Sequence, residues 1–298
     1  MDLHKTYKDS PAATRTDTLR RYRLSTPSGA GLEIERLADR LTGREAVDAY
    51  CEAASAYSVE GKQDGLARSL EKACQAFGDE QDPRVLLTAV QPYLEHGDTF
   101  VAEAIIDVAV THLSKAGDVP GLGECLARYG TVRYYQQRFL EAAQLHQAAL
   151  GLYSSAPSHD LFRAFSLSTI GLCLFREWRK TKQLSLLENA DSAFKKAEPF
   201  ISGDNVVFRA KLSWHKGDIA LALGHPKAAL NYFAFARQHL PGPMARASIA
   251  LRLVQMGSDE ETSTARDLLS SADGPRAARA LELIELGEID KAIDELFP

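Results

Sequence analysis

The chain has 298 residues, of which 45% are apolar and 25% charged, and its formal net charge is −5. Such a composition supplies material for a large core and excludes wholesale disorder. With a pI near 5.9 it also lacks the basic signature of a dedicated nucleic-acid binder, so nucleic acid is not the expected partner.

Residues 1–31 carry many charges, Pro11, Pro27, Gly29 and Gly31, and almost no periodic apolar face. They are expected to form a flexible or loosely docked N-terminal extension with a short helix around residues 16–23. The first ten residues lack the apolar stretch of a secretory signal. No later run approaches the roughly 20 apolar residues that cross a bilayer. Cys51, Cys74, Cys125 and Cys173 lie far apart and outside any Cys-x-x-Cys pair. Buried thiols in a reducing, cytoplasmic setting are expected.

From Leu32 onward the apolar residues recur with helical spacing and β-branched residues are sparse, which predicts an all-α domain over residues 32–298. A grammar of glycine, small residue and large apolar residue recurs along it. Gly61 precedes Leu66, Leu70 and Ala73; Gly97 precedes Ala102, Ile106 and Ala109. Gly224 precedes Ala229, Phe233 and Ala236, and Gly287 precedes Ala292 and Leu296. Each glycine stands where one helix should end and the next begin, because glycine enters the left-handed region without a Cβ clash. The alanine allows close helix approach and the bulky residue one turn later fills the gap.

The stretch Ala210–Pro241 resembles a tetratricopeptide repeat: Gly217, Ala229, Phe233, Ala236 and Pro241 occupy positions 8, 20, 24, 27 and 32 of that motif. A second match begins at Gly123, with Leu126, Tyr129, Gly130, Ala142 and Ala149, although His146 replaces the large apolar residue at position 24. A third begins at Ala164, with Leu167, Ile170 and Gly171; its second helix, with Ala190, Phe194 and Ala197, arrives late, so residues 176–187 form an irregular insertion. Weaker repeats begin near Val47 and Pro83, and others cover residues 243–272 and the C-terminus. The resemblance implies a right-handed α-solenoid of about seven degenerate helix pairs.

It also implies a concave face lined by positions 2, 5, 9 and 12 of each first helix, suited to an extended peptide or partner helix. In the three better repeats those positions hold Glu124, Ala127, Thr131 and Tyr134; Phe165, Ser168, Leu172 and Phe175; and Lys211, Trp214, Asp218 and Leu221. Tyr134, Phe165, Phe175, Lys211, Trp214 and Asp218 are the candidate partner-binding residues, with Tyr134, Phe175 and Trp214 as an aromatic anchor. The competing expectation is that these aromatics pack between neighbouring repeats. The Lys/Asn clamp with which some relatives hold acidic C-terminal tails is missing at positions 5 and 9.

Arg176, Arg179 and Lys180, beside Trp178, are candidate anion contacts, weighed against a solvated helix face. Ser192 and Lys195 have the spacing of a serine–lysine pair but no companion motif. His215, beside Trp214, is expected in the groove or at the surface. No metal-ligand helix, phosphate loop or dinucleotide fingerprint occurs, so no catalytic residue, metal or cofactor is expected. The expected activity is that of a non-catalytic adaptor or scaffold. The alternative is a sensor that changes shape on binding a signalling peptide or small ligand, with an enzyme subunit less favoured. The short, apolar last repeat is expected to self-associate or dock on a partner.

Overall fold

The computed structural model describes residues 3–11, 15–26, 28–60, 62–77, 84–88, 90–95, 98–153, 157–272 and 275–296. Among these, every regular element is helical and no strand occurs. The chain divides into two compact units: Met1–Arg138 with Gly151–Ser154, and Phe139–Leu150 with Ser155–Pro298.

The first unit contains α1 (Leu3–Asp9), α2 (Arg15–Ser25), α3 (Ala30–Ala38), α4 (Gly43–Val59), α5 (Gln63–Phe77), α6 (Arg84–Thr88), α7 (Val90–Glu95), α8 (Thr99–Ala116) and α9 (Val119–Tyr135). Asp98 caps α8 by accepting from the Val101 N–H, and Asp118 caps α9 by accepting from the Gly121 N–H. Helix α2 covers the short helix expected around residues 16–23, and the segment that carries it is docked in the core rather than flexible. Leu3, Tyr7, Leu19 and Tyr22 are buried in the same core as Ala49, Ala53 and Tyr57 of α4. Arg20 and Arg23 of α2 reach the buried Glu52 of α4 at 3.6 and 3.2 Å. Two apolar residues per short helix are enough for docking when salt bridges hold the polar side, and so sparse a pattern escapes a periodicity reading.

The second unit takes most of α10 (Phe139–Leu152), then α11 (Asp160–Thr181), α12 (Leu184–Ala197), α13 (Val206–Ala222), α14 (Pro226–His239), α15 (Pro243–Gln255), α16 (Glu261–Ser270), α17 (Pro275–Glu285) and α18 (Ile289–Leu296). Consecutive helices pack as pairs: α11 with α12, α13 with α14, α15 with α16, and α17 with α18. The insertion takes the form of extra turns at the end of α11, which continues to Thr181 before Lys182 enters the left-handed region at φ 59°.

The turn glycines Gly224 and Gly287 have φ of 78° and 75°. Gly61 and Gly97 lie outside the described residues. The small and large residues that follow all four glycines are buried, from Leu66 and Leu70 through Ala102, Ile106, Ala229 and Phe233 to Ala292 and Leu296. Leu296 packs within the core of α15–α18, while Phe297 lies outside the described residues. Cys51, Cys125 and Cys173 are buried thiols outside any disulfide; the Cys74 side chain is not among those described. No helix among the described residues is long and apolar enough to cross a membrane.

Candidate functional site

Helix packing in the second unit starts from two missing side chains. A Cβ on Gly171 would meet the Phe194 ring at 2.9 Å, and one on Gly217 would meet the Phe233 ring at 2.5 Å. The aromatic ring of each second helix therefore occupies the space that glycine leaves on its first helix. Phe194 and Phe233 are both fully buried as a result. This brings α11 close to α12 and α13 close to α14, and it sets the face that each first helix presents.

On that face, Asp218 of α13 and Arg252 of α15 form an ion pair at 6% and 5% side-chain exposure. Arg252 Nη2 donates to Asp218 Oδ2 at 3.0 Å, and its Nη1 donates to the Ser248 carbonyl at 3.0 Å and to the Ser248 hydroxyl at 2.6 Å. Burial pushes the Asp218 carboxyl up, against the pull of Arg252. The Arg252 guanidinium also lies 5.4 Å from the centre of the Trp214 ring. Trp214 stacks on His215 at 5.4 Å, and His215 stacks on Phe194 at 5.8 Å. Burial, reinforced by Arg252, Arg176 and Lys211, pushes the His215 imidazole down to about 3. His215 is thus a neutral aromatic plate between the rings of Trp214 and Phe194, and it is half-buried.

A cleft of about 200 Å³ opens beside this pair, lined among others by Phe175, Trp178 and Arg179 of α11, Leu221 of α13, and Asp290 and Ile293 of α18. It is smaller than the roughly 300–1,000 Å³ of pockets that enclose a drug-sized ligand and has room for side chains of a partner. Phe175 and Trp178 stack at 5.4 Å with 22° between their planes. Lys182 stands 4.7 Å above the Trp178 ring, Lys180 stands 4.4 Å above Phe139, and Arg179 pairs with Asp294. A larger cleft of about 520 Å³, lined by Arg209, Ser213, Lys216 and Tyr232, lies on the opposite side of α13. Its cations are engaged internally: Lys216 with Glu198 and the Tyr232 ring, Arg209 with the Gly203 carbonyl.

No family model matches the chain, and no curated protein matches its sequence. Among solved structures, NprR in complex with its cognate peptide NprX aligns over 95% of this chain and 82% of that one, at 11% identity and a TM-score of 0.55. The apo form of RapI aligns over 99% and 86%, at 11% identity and a TM-score of 0.52. The fold is tetratricopeptide-like.

The tetratricopeptide-like frame brings together only part of the expected site. Phe175 and Asp218 line one cleft, and Arg252 links Asp218 to Trp214. Asp218, expected to meet a partner, is consumed by its own ion pair. Lys211 is exposed, and Phe165, 38% exposed, meets the buried His146 edge-on at 5.8 Å. Tyr134 is buried in the first unit, edge-on to Tyr135 at 6.1 Å. Half of the expected stripe is buried, at Ala127, Thr131, Tyr134, Ser168, Phe175 and Asp218, while Phe165 and Lys211 are exposed. The motif reading overlooked Arg252, and Trp178 entered it only as a neighbour of the basic run. The signal for Arg252 was available: it stands 34 residues after Asp218, one tetratricopeptide repeat further on.

Proposed function

We propose that the chain is a non-catalytic adaptor that grips a peptide or protein segment with the first-helix face of its second unit. The observation that carries this reading is the cleft at the end of α11, where the half-buried Trp178 lies on Phe175 beside Arg179 and the Arg252–Asp218 pair. A flat aromatic surface beside an anchored guanidinium suits a hot spot that receives one or two side chains. The fold shared with NprR, which was solved with its cognate peptide, is consistent with such a role.

The titratable groups support binding over catalysis. Burial raises the Cys173 and Cys125 thiols to about 12, so neither is a thiolate nucleophile near neutrality. His215 at about 3 is no general base there either. The test is affinity purification from cells with the wild-type chain beside a Phe175→Ala/Trp178→Ala variant and a Tyr134/Phe175/Trp214→Ala variant. A partner retained by the wild type and lost from the first variant, at unchanged helicity, supports the cleft. Equal retention by all three chains would refute it. The reading as a regulatory sensor is favoured by one further feature, the position of α18.

A further inference from the structure

The last helix pair does more than close the second unit. Helix α17 packs on α16, whereas α18 packs on both α17 and α15. From there it reaches α11: Asp294 pairs with Arg179, and Asp290 accepts from the Gln255 side chain of α15. Ile293, 4% exposed, and Asp290 form one wall of the cleft that also holds Phe175 and Trp178. Helix α18 therefore brings Ile293 and the carboxylates Asp290 and Asp294 to the candidate site, while Ala292 and Leu296 pack in the core of α15–α18.

That is the chemistry the cleft selects. The α11 wall contributes Arg179, and Arg176 one turn before it acts with Arg179 on the Asp218 carboxyl. An acidic, amphipathic helix meets Arg179 and the aromatic pair together. We propose that α18 is a resident competitor in the site, and that the partner is an acidic amphipathic helix of the same pattern, which binds in trans by taking the place of α18 on Arg179 and Trp178. This deepens the adaptor reading and rests on it.

The polar hold on α18 is of the kind that can exchange. Arg179 and Asp294 keep 32% and 49% side-chain exposure, so water screens their attraction. What favours the closed form is the burial of Ala292, Ile293 and Leu296 against α15 and α17, together with tethering, which presents α18 at an effective concentration on the order of millimolar. A partner helix with similar contacts must exceed that to bind, so the chain answers only to a tight or abundant ligand.

The test uses the full chain and a fluorescein-labelled peptide with the sequence of residues 285–298, amidated so that no terminal carboxylate takes part. Asp294→Arg, which replaces attraction by repulsion, should raise peptide affinity about fivefold or more over wild type in anisotropy titrations. Adding Trp178→Ala to that variant should abolish the gain. The swap Arg179→Asp/Asp294→Arg should return the native peptide to wild-type binding or weaker. Hydrogen exchange on the wild-type chain is the second readout: saturating peptide should speed exchange of the α18 amides. An unchanged affinity in Asp294→Arg, a gain that survives Trp178→Ala, or α18 amides indifferent to peptide would each overturn the proposal. If cellular partners still depend on Phe175 and Trp178 while these results are negative, the adaptor reading stands and the competitor role of α18 falls. If partner capture ignores Phe175 and Trp178, the adaptor reading itself fails.

Discussion

A methyl group added at Gly217 would stand 2.5 Å from the Phe233 ring. Gly217→Ala gains about 1 kcal/mol of helix propensity, yet overpacking of this kind costs about 1–3 kcal/mol. The expected outcome is a net loss of about 1 kcal/mol, read as a lower urea midpoint at constant slope; a raised midpoint would show that the ring moves aside. Removing the guanidinium in Arg252→Met leaves the Asp218 carboxylate buried without its counter-charge, which costs about 3–5 kcal/mol. The double variant Asp218→Leu/Arg252→Met should recover much of that loss in a double-mutant cycle; additive losses would mean that the pair acts through something other than charge compensation. His215 gives a signature in pH. Its folded value of about 3 lies below the ordinary 6.5, so between the two the unfolded chain binds a proton that the native one refuses. Stability should fall as pH drops below 6.5, with a slope of up to about 1.4 kcal/mol per unit. His215→Phe keeps a ring between Trp214 and Phe194 and should lack this component. Parallel stability curves for the two chains would refute a neutral, stacked imidazole.

Between elements, polar contacts recur at the length of one repeat. Glu35 and Arg68 are 33 residues apart, as are Asp39 and Lys72; Arg84 and Asp118 are 34 apart, Asp218 and Arg252 also 34, and Gln255 and Asp290 are 35 apart. Among the first of these, Glu35 is 4% exposed and accepts from Arg68 at 2.9 Å and from the Tyr57 hydroxyl at 2.6 Å. Lys72 lies 3.1 Å away. Arg68 above all, with Tyr57 and Lys72, holds the Glu35 carboxyl at about 2. Because the folded value is lowered, this cluster supports the fold fully above about 4.5 and loses its contribution as pH falls through about 2. Glu35→Gln should therefore lower the melting temperature at neutral pH and match the wild type near pH 2; a constant difference across that range would count against the assignment. The apolar grammar that marks the helix pairs was legible because each glycine and its following residues obey one spacing, as Gly224, Ala229 and Phe233 do. The polar contacts were less so, since Arg252 makes sense only beside a residue one repeat earlier. Helix α1 and the docking of α2 were not legible, as Leu3, Tyr7, Leu19 and Tyr22 are too few to show a period and Glu52, which holds Arg20 and Arg23, lies in another helix.

Over the whole molecule, stability in arrays of this type comes from neighbour-to-neighbour interfaces, so each joint has its own character. The candidate site was half legible for the same reason. Phe175 and Trp214 could be projected from one repeat's register, whereas Asp290 and Ile293 arrive from a helix that departs from the regular succession by packing on α15. The joint between α13 and α15 also limits how the chain can grow. Splicing in a second copy of residues 209–242 would set the original Asp218 against a copied Asp218, two sequestered anions with one guanidinium between them. A spliced block of residues 209–276 would carry its own Arg252 and keep each Asp218 matched. Melting temperatures should fall for the first insertion and hold or rise for the second, and equal values would refute the rule. At this point the array can be lengthened in double steps and not in single ones, so a charge hidden between two helices sets a parity on its ancestry.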